Sequence, residues 1–421
     1  MQNYVFVLDT NKAQREPIHP GEARLLLSQE KAAVYRRFPF TIILKDARPA
    51  VEPKPITLKV DPGSRTTGIA LVQQDRVIFA AELKHRGQQI KDSIEKRRAI
   101  RRSRRNRKTR YRQPRFDNRT RPEGWLAPSL KSRVGNLRTW LTHFSKLCNL
   151  AQISMELVRF DTQLMQDAEI KGVEYQQGEL SGYEVREYLL EKYSRKCCYC
   201  NKTNIAIEIE HITPRSRGGS NRVGNLCLAC QDCNQRKGNQ TATEFGFPDI
   251  QSQARKPLKD AAAVNSVRWA VYNLFQSTGL PVETGTGGRT KFNRIQQDHP
   301  KAHWIDAACV GKSGQGIILD AAQKPLLIKA VGRGGRQMCC VNKFGFPRTK
   351  AKSGKRFFGF QTGDMVKAIV PGGKYKGIHV GKVVVRSTGS FGISFQKGKI
   401  DGINRKYCKR IHAQDGYAYA N

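Results

Sequence analysis

Between Cys197 and Asn239 the sequence reads CCYCNKTNIAIEIEHITPRSRGGSNRVGNLCLACQDCNQRKGN. It holds two Cys-x-x-Cys knuckles, Cys197/Cys200 and Cys230/Cys233. Four thiolates in two close pairs suit a closed tetrahedral Zn²⁺ site, which leaves no open position for chemistry at the zinc itself. The chemistry must then sit beside the knuckles, where Glu210-His211, Asn225 and Asn234 lie among Arg215, Arg217, Arg222 and Lys237. A general base for water, oxygen ligands for Mg²⁺ and cations for a phosphate are what phosphodiester hydrolysis needs. A non-catalytic zinc ribbon explains the knuckles alone, but not the Glu-His pair closing the strand-like IAIEIEH or the two carboxamides that follow it.

A second set of acids is scattered more widely. Asp61 closes a strand in KVDPGSRTTGIAL, Glu156 lies in the strand-like AQISMELVRFD, and Asp306 sits in HWIDAA with His303 one helical turn earlier. Three carboxylates from separate strands and a helix can hold two Mg²⁺ ions roughly 3.5–4 Å apart. His303 falls on the Asp306 face of its helix, placed to assist as a base. Each piece alone has an ordinary explanation: Asp-x-Gly after a strand also suits actin-like ATPases, and a lone strand Glu is usually structural. Their order in a strand–strand–strand–helix–strand chain points to an RNase H-like fold.

The elements that must position these residues follow from pattern and punctuation. Residues 1–50 read as a small α/β unit: a strand at YVFVLDT, a capped turn and amphipathic helix over PIHPGEARLLLSQEKAAVYRRF, and a strand at FTIILK. The Pro-rich RPAVEPKP is a linker, after which ITLKVDPGSRTTGIALVQQDRVIFAAELK predicts an antiparallel three-strand meander. Lys96–Arg115 carries twelve Lys or Arg and no acid, and predicts a basic helix that orders fully against phosphates. Residues 130–150 and 258–276 have helical apolar spacing, GLPVETGTGGRTKFNR reads as a strand then a Gly-rich loop, and HPKAHWIDAACVG as a short helix. From about 316 to 421 the chain is basic, Gly-rich and strand-like, which predicts a small β-barrel region.

Composition sets the partner class. The chain has 421 residues, 75 Lys+Arg against 35 Asp+Glu, and a net charge of +40, with a pI near 10.2. A folded body with that charge implies a polyanion, here nucleic acid. No apolar run reaches membrane-spanning length and the start lacks the features of a signal peptide. Eleven Cys, six of them within Cys197–Cys233, suit reduced cytoplasmic thiols with metal rather than a disulfide framework.

Taken together, the two constellations and their interleaving resemble the IscB family, transposon-encoded relatives of type II CRISPR effector nucleases, over essentially the full length. Residues 1–50 are similar to its PLMP domain, with Pro17-Ile18-His19-Pro20 at the naming motif. Asp61, Glu156, His303 and Asp306 match the split RuvC motifs, Lys96–Arg115 the arginine-rich bridge helix, and Glu210-His211, Asn225 and Asn234 the HNH motif. Glu stands here for the frequent Asp, and Asn234 where HNH proteins often carry their last His.

The resemblance implies an α/β multidomain chain: an RNase H-like RuvC core with an inserted ββα-metal HNH domain. Its parts would be a PLMP-like domain at 1–50, RuvC at 56–92, 130–185 and 246–315, the bridge helix at 93–118, HNH at 186–245 and a β-rich C-terminal domain at 316–421 for RNA and target-adjacent-motif contacts. The implied activity is cleavage of double-stranded DNA guided by a noncoding omega RNA, HNH cutting the guide-paired strand and RuvC the displaced one. In the HNH site His211 would be the base, Glu210 and Asn234 ligands of one Mg²⁺, and Asn225 a group that orients His211. Asp61, Glu156 and Asp306 would hold two Mg²⁺ in RuvC, and Cys197, Cys200, Cys230 and Cys233 a structural Zn²⁺. Arg97, Arg98, Arg101, Arg102, Arg104, Arg105, Lys108 and Arg112 would contact nucleic acid. No large helical insertion follows the bridge helix, so a structured RNA would scaffold the heteroduplex around a monomeric protein. An unguided HNH or junction-resolving nuclease explains the acids but not the basic helix or two sites in one chain. A non-enzymatic zinc-ribbon RNA-binding protein explains the charge and makes the acids coincidental.

Overall fold

A computed structural model describes residues 3–46, 52–106, 122, 124–157, 185–219, 223–254, 261–320, 323–332, 339, 341–350, 354–395 and 398–420. The chain divides into two compact units. The first comprises Met1–Ala33, Ile42–His85 and Leu130–Leu326, and the second Val34–Thr41, Arg86–Ser129 and Leu327–Asn421.

The first unit begins with strands β1 (Val5–Leu8) and β2 (Gln14–Ile18), paired antiparallel, and helix α1 (Pro20–Ser28). Pro20 opens α1 and the His19 side chain caps it, Nδ1 accepting from Gly21 N at 3.1 Å. The helix is shorter than its sequence suggests. Glu30 takes a φ of 56°, and the β-branched and aromatic AAVYR becomes strand β3 (Ala32–Arg36), followed by β4 (Thr41–Leu44).

The expected meander is present as β5 (Ile56–Asp61), β6 (Thr66–Gln73) and β7 (Arg76–Lys84). Strand β8 (Leu150–Glu156) lies parallel to β5, and later in the chain β11 (Val282–Gly285) lies parallel to β8, giving the order β11-β8-β5-β6-β7 within this unit. One core packs around Phe6, Phe79, Trp140 and Phe144, the last two from helix α3 (Pro128–Leu147); the Phe79 and Phe144 rings meet edge-on at 5.5 Å.

Before β11 come helices α4 (Val185–Lys192), α5 (Gln231–Lys237), α6 (Pro248–Ala254) and α7 (Ala261–Gln276). Strands β9 (Ile207–His211) and β10 (Leu226–Cys230) pair antiparallel and run into α5, a ββα unit inserted between β8 and β11. The stretch expected as a Gly-rich loop is instead helix α8 (Gly287–Gln296), capped by Thr286 Oγ1, which accepts from Arg289 N at 3.3 Å. Its buried side carries Thr290, Asn293 and Arg294, while Phe292 and Ile295 are exposed. Helix α9 (His303–Ala308) lays Trp304, Ile305 and Ala308 on Ala70, Val72, Val77 and Ala80 of the meander. The paired alanines Ala70 and Ala80 leave the space that a helix needs to approach a sheet.

In the second unit helix α2 spans Gly87–Asn106, so the basic helix starts nine residues before Lys96. Strand β12 (Leu326–Ala330) pairs with β20 (Tyr417–Ala420), and β13 (Arg356–Phe357) with β14 (Phe360–Gln361). Strands β15 (Met365–Val370), β16 (Gly377–Val384), β17 (Ser390–Phe395), β18 (Gly398–Asn404) and β19 (Cys408–His412) form an antiparallel sheet over Val366, Ala368, Val383, Phe391 and Ile393. Its order, β18-β17-β16-β15-β19, leaves two edges among the described residues, so the C-terminal region is a sheet rather than the closed barrel expected. Among the described residues no helix is long and apolar enough to cross a membrane.

Candidate active sites and metal centre

The four knuckle cysteines converge. The Sγ atoms of Cys197, Cys200, Cys230 and Cys233 all lie within 4.8 Å of one another, and those of Cys200 and Cys230 are 3.7 Å apart. Four sulfurs about 2.3 Å from a central Zn²⁺ stand close to that far apart, so the cluster fits the ion. Burial alone would raise the Cys197 thiol, but N–H groups of Cys200, Cys230 and Tyr199 bring it down to about 7, the direction a metal thiolate requires. Cys198 and Cys227 stand outside the four: Cys198 Sγ accepts from Leu228 N, and Cys227 meets the Tyr199 hydroxyl.

Beside the cluster, β9 ends on Glu210 and His211. Lys237, fully buried at the end of α5, donates to Glu210 Oε1 at 2.6 Å and to the His211 carbonyl at 2.8 Å. The sequence placed Lys237 among cations facing a phosphate; the structure turns it inward, where it fixes the acid and the histidine backbone instead. Asn225 bonds both sides of Thr213, Oδ1 accepting from its N–H and Nδ2 donating to its carbonyl, each at 2.9 Å, while Ile212 N donates to the Asn225 carbonyl at 2.8 Å. It therefore governs the chain just after His211. Asn234 Nδ2 donates to Glu208 Oε2 at 2.7 Å. Glu208 escaped the sequence reading, although in IEIEH it shares a strand face with Glu210. Arg217 is held by Glu244 at 2.6 Å, Arg215 is exposed, and Arg222 lies outside the described residues.

The second set converges too. Asp61, Glu156, His303 and Asp306 line one cleft of about 720 Å³. Strand register explains why. Asp61 pairs with Gly68, Gly68 with Glu82, and Glu156 with Gly285, while Asp61 and Glu156 stand one residue beyond the paired Val60 and Met155. Glu82, Gly68, Asp61, Glu156 and Gly285 thus form one row across five strands, with Asp61 and Glu156 side by side at its centre and a glycine flanking each. A Cβ on Gly68 would stand 1.8 Å from the His303 carbonyl oxygen, so the glycine admits the start of α9 and with it Asp306.

Two arginines meet the acids. Arg268 Nη2 lies 3.1 Å from Glu156 Oε1, both buried, and Arg294 Nε lies 2.9 Å from Asp306 Oδ1. Burial raises the Asp306 carboxyl, with Arg294 the strongest opposing influence. Glu82 Oε1 accepts from His303 N at 3.1 Å, capping a helix whose own N-cap, Ala302, has no side-chain acceptor. Glu82, Arg268 and Arg294 are additions to the sequence reading. A Glu in the apolar run of β7 and an Arg in the apolar-patterned 258–276 were the available signals; Arg294 stood in a stretch that reads as a Gly-rich loop.

On α2, Arg97, Arg98, Arg101, Arg102 and Arg105 are exposed. Arg104 differs: it donates to the Gly345 carbonyl at 3.0 Å and lies over the Phe346 ring. Lys108 and Arg112 lie outside the described residues.

Residues 197–249 match the HNH endonuclease family, and residues 5–178 match the family described as RRXRR protein. The second match contains Arg101-Arg102-Ser103-Arg104-Arg105, the pattern that its name spells. The resemblance to IscB- and Cas9-like RuvC/HNH nucleases stands. The HNH match is to endonucleases and is confined to the knuckle-bearing ββα region. Among solved structures, Streptococcus thermophilus Cas9 in complex with the GGAA PAM is 13% identical over 61% of this chain and 32% of its own, with a TM-score of 0.23. The type II-C Cas9 of Actinomyces naeslundii is 16% identical over 45% of this chain and 29% of its own, with a TM-score of 0.15. The chain spans about a third of the length of these structures. No curated protein matches it.

Proposed function

We propose that this protein is an RNA-guided endonuclease for double-stranded DNA with two independent sites. The reading is supported above all by the acid row of Asp61 and Glu156 facing Asp306 in a chain that also carries an HNH domain. The mixed order β11-β8-β5-β6-β7, with α9 on one face and α3 serving the aromatic core, is what an RNase H-like, RuvC-type core requires. Its guide would be an omega RNA, bound along α2 and scaffolding the heteroduplex. The C-terminal sheet would contact RNA and the target-adjacent motif, and the N-terminal unit would be PLMP-like. The protein would act as a monomer within a ribonucleoprotein in the prokaryotic cytoplasm.

In the HNH site His211 takes the proton from the attacking water. Glu210 and Asn234 would hold one Mg²⁺, Lys237 and Glu208 hold those two side chains in place, and Asn225 fixes the backbone that carries His211. The knuckle cluster holds Zn²⁺ and stabilises the ββα unit. In the cleft Asp61, Glu156 and Asp306 offer hard oxygen donors suited to two Mg²⁺ ions. Bound Mg²⁺ lowers the pKa of water and stabilises charge on the scissile phosphate. Arg268 and Arg294 neutralise the acids when the cleft is free of metal, and His303 at the rim assists proton transfer. The HNH site cuts the guide-paired strand and the cleft the displaced strand.

Sequencing the RNA that copurifies with the protein, then reprogramming its guide segment, tests the reading. A discrete RNA whose altered guide redirects cleavage supports it. Metal-dependent cleavage without any RNA would replace it with an unguided nuclease.

A further inference from the structure

One row below the acids the same three parallel strands carry a second polar row. Lys59, Ser154 and Glu283 are aligned in register across β5, β8 and β11, each two residues before Asp61, Glu156 and Gly285 respectively. Residues two apart on a strand share a face, so this row lies directly beneath the cleft. Lys59 and Ser154 are buried.

The row closes on the loop that follows α9. Lys59 Nζ donates to the Val310 carbonyl at 2.9 Å and to Ser313 Oγ at 2.7 Å. Glu283 accepts from Ser154 Oγ at 2.7 Å, from Ser313 N at 3.1 Å, and from Ser313 Oγ. Gly311 has φ 77°, and a Cβ there would come within 2.5 Å of the Glu283 carboxylate, so the loop sits flush on the acid. A buried ammonium facing a half-buried carboxylate repays its desolvation only through close geometry and further hydrogen bonds, which Ser154 and Ser313 supply. Here they tie β5, β8 and β11 to the backbone four to seven residues after Asp306.

We infer that Lys59, Ser154, Glu283 and Ser313 form a positioning clamp that sets the spacing of Asp61, Glu156 and Asp306 for divalent metal. The inference rests on the two-site nuclease reading. None of the four lines the cleft, so the clamp acts through the strands and loop that carry the acids. Removing hydrogen-bonded partners behind metal ligands lowers metal affinity about 10- to 100-fold.

Manganese binding to the full-length protein, followed by the paramagnetic resonance signal of free Mn²⁺, tests this beside strand-specific cleavage. The variants are Lys59→Met, Glu283→Gln and the pair Lys59→Met with Glu283→Leu, with Asp61→Ala as reference. The paired variant leaves neither charge without its partner, so it decides the matter if a single change fails to fold. The expected result is a folded paired variant whose cleft binds Mn²⁺ at least tenfold more weakly and whose displaced-strand cut needs correspondingly more metal. The paired-strand cut should be unchanged. Wild-type Mn²⁺ affinity in the paired variant, with weakened binding in Asp61→Ala, would overturn the clamp alone. Unchanged affinity in Asp61→Ala as well would overturn the metal-binding cleft and the clamp with it.

Discussion

Asp61 and Gly68 are direct partners across β5 and β6, and the absent side chain of Gly68 is what lets α9 bring Asp306 to Asp61. Gly68→Ala would place a methyl carbon 1.8 Å from the His303 carbonyl, a backbone atom that cannot turn aside. The variant should lose about 1–3 kcal/mol of stability, in the range of overpacked cores, and most displaced-strand cutting. Cutting of the paired strand should persist. Thermal unfolding and strand-labelled cleavage measure the two effects, and wild-type values in both would show that α9 does not depend on this approach.

The knuckle cluster should hold one zinc per chain. Zinc binding contributes on the order of 10 kcal/mol to the folding of small zinc domains. Cys230→Ser should therefore release the metal and unfold the ββα unit, abolishing the HNH cut while displaced-strand cutting continues. Elemental analysis of the purified variant checks the first part. A full equivalent of zinc would move the site elsewhere.

His85 makes an acid-sensitive joint. Its Nε2 lies 2.8 Å from Thr67 Oγ1 and its Nδ1 3.1 Å from Asn136 Nδ2, and burial, assisted by the Arg133 charge, brings the imidazole down to about 3. A folded pKa below the unfolded value of about 6.5 means that the unfolded chain takes up the proton first. Stability from this group is present above about pH 6.5 and is lost as pH falls toward 3, by on the order of 4 kcal/mol. His85→Asn should remove that dependence, so wild type and variant draw closer in unfolding midpoint from pH 7 to pH 4. A gap that stays constant over that range would contradict the assignment.

The strands that carry chemistry were legible because a meander and a knuckle pair are local signals. Asp61, Glu156 and Asp306 could be picked out by where they sit in strand and helix patterns. Their alignment in one row could not, because register pairs Val60 with Met155 and Ser154 with Glu283, residues far apart in the chain. Glu82, Glu208, Arg268 and Arg294 were hidden for the same reason: each is an ordinary charged residue until its long-range partner is known. The misread helix after Glu22 shows the opposite limit. Local apolar spacing continued past Ser28, yet Val34 and Tyr35 favour a strand, and tertiary pairing decided. At 287–296 two glycines suggested a loop, whereas Thr286 supplies a cap and the helix follows.

The basic helix should bind RNA through its exposed arginines. Replacing Arg97, Arg101 and Arg105 with Gln should weaken guide-RNA binding and flatten the log–log salt dependence by up to about three units, near one per lost phosphate contact. Zinc content should not change. Filter binding across salt concentrations measures the slope, and an unaltered slope would leave α2 a solvated face.

The claim of two independent sites is tested most directly by cleavage of a guide-matched duplex labelled separately on each strand. His211→Ala should nick only the displaced strand and Asp61→Ala only the paired strand, each at close to the wild-type rate for its remaining cut. Loss of both cuts from either single change would contradict the account.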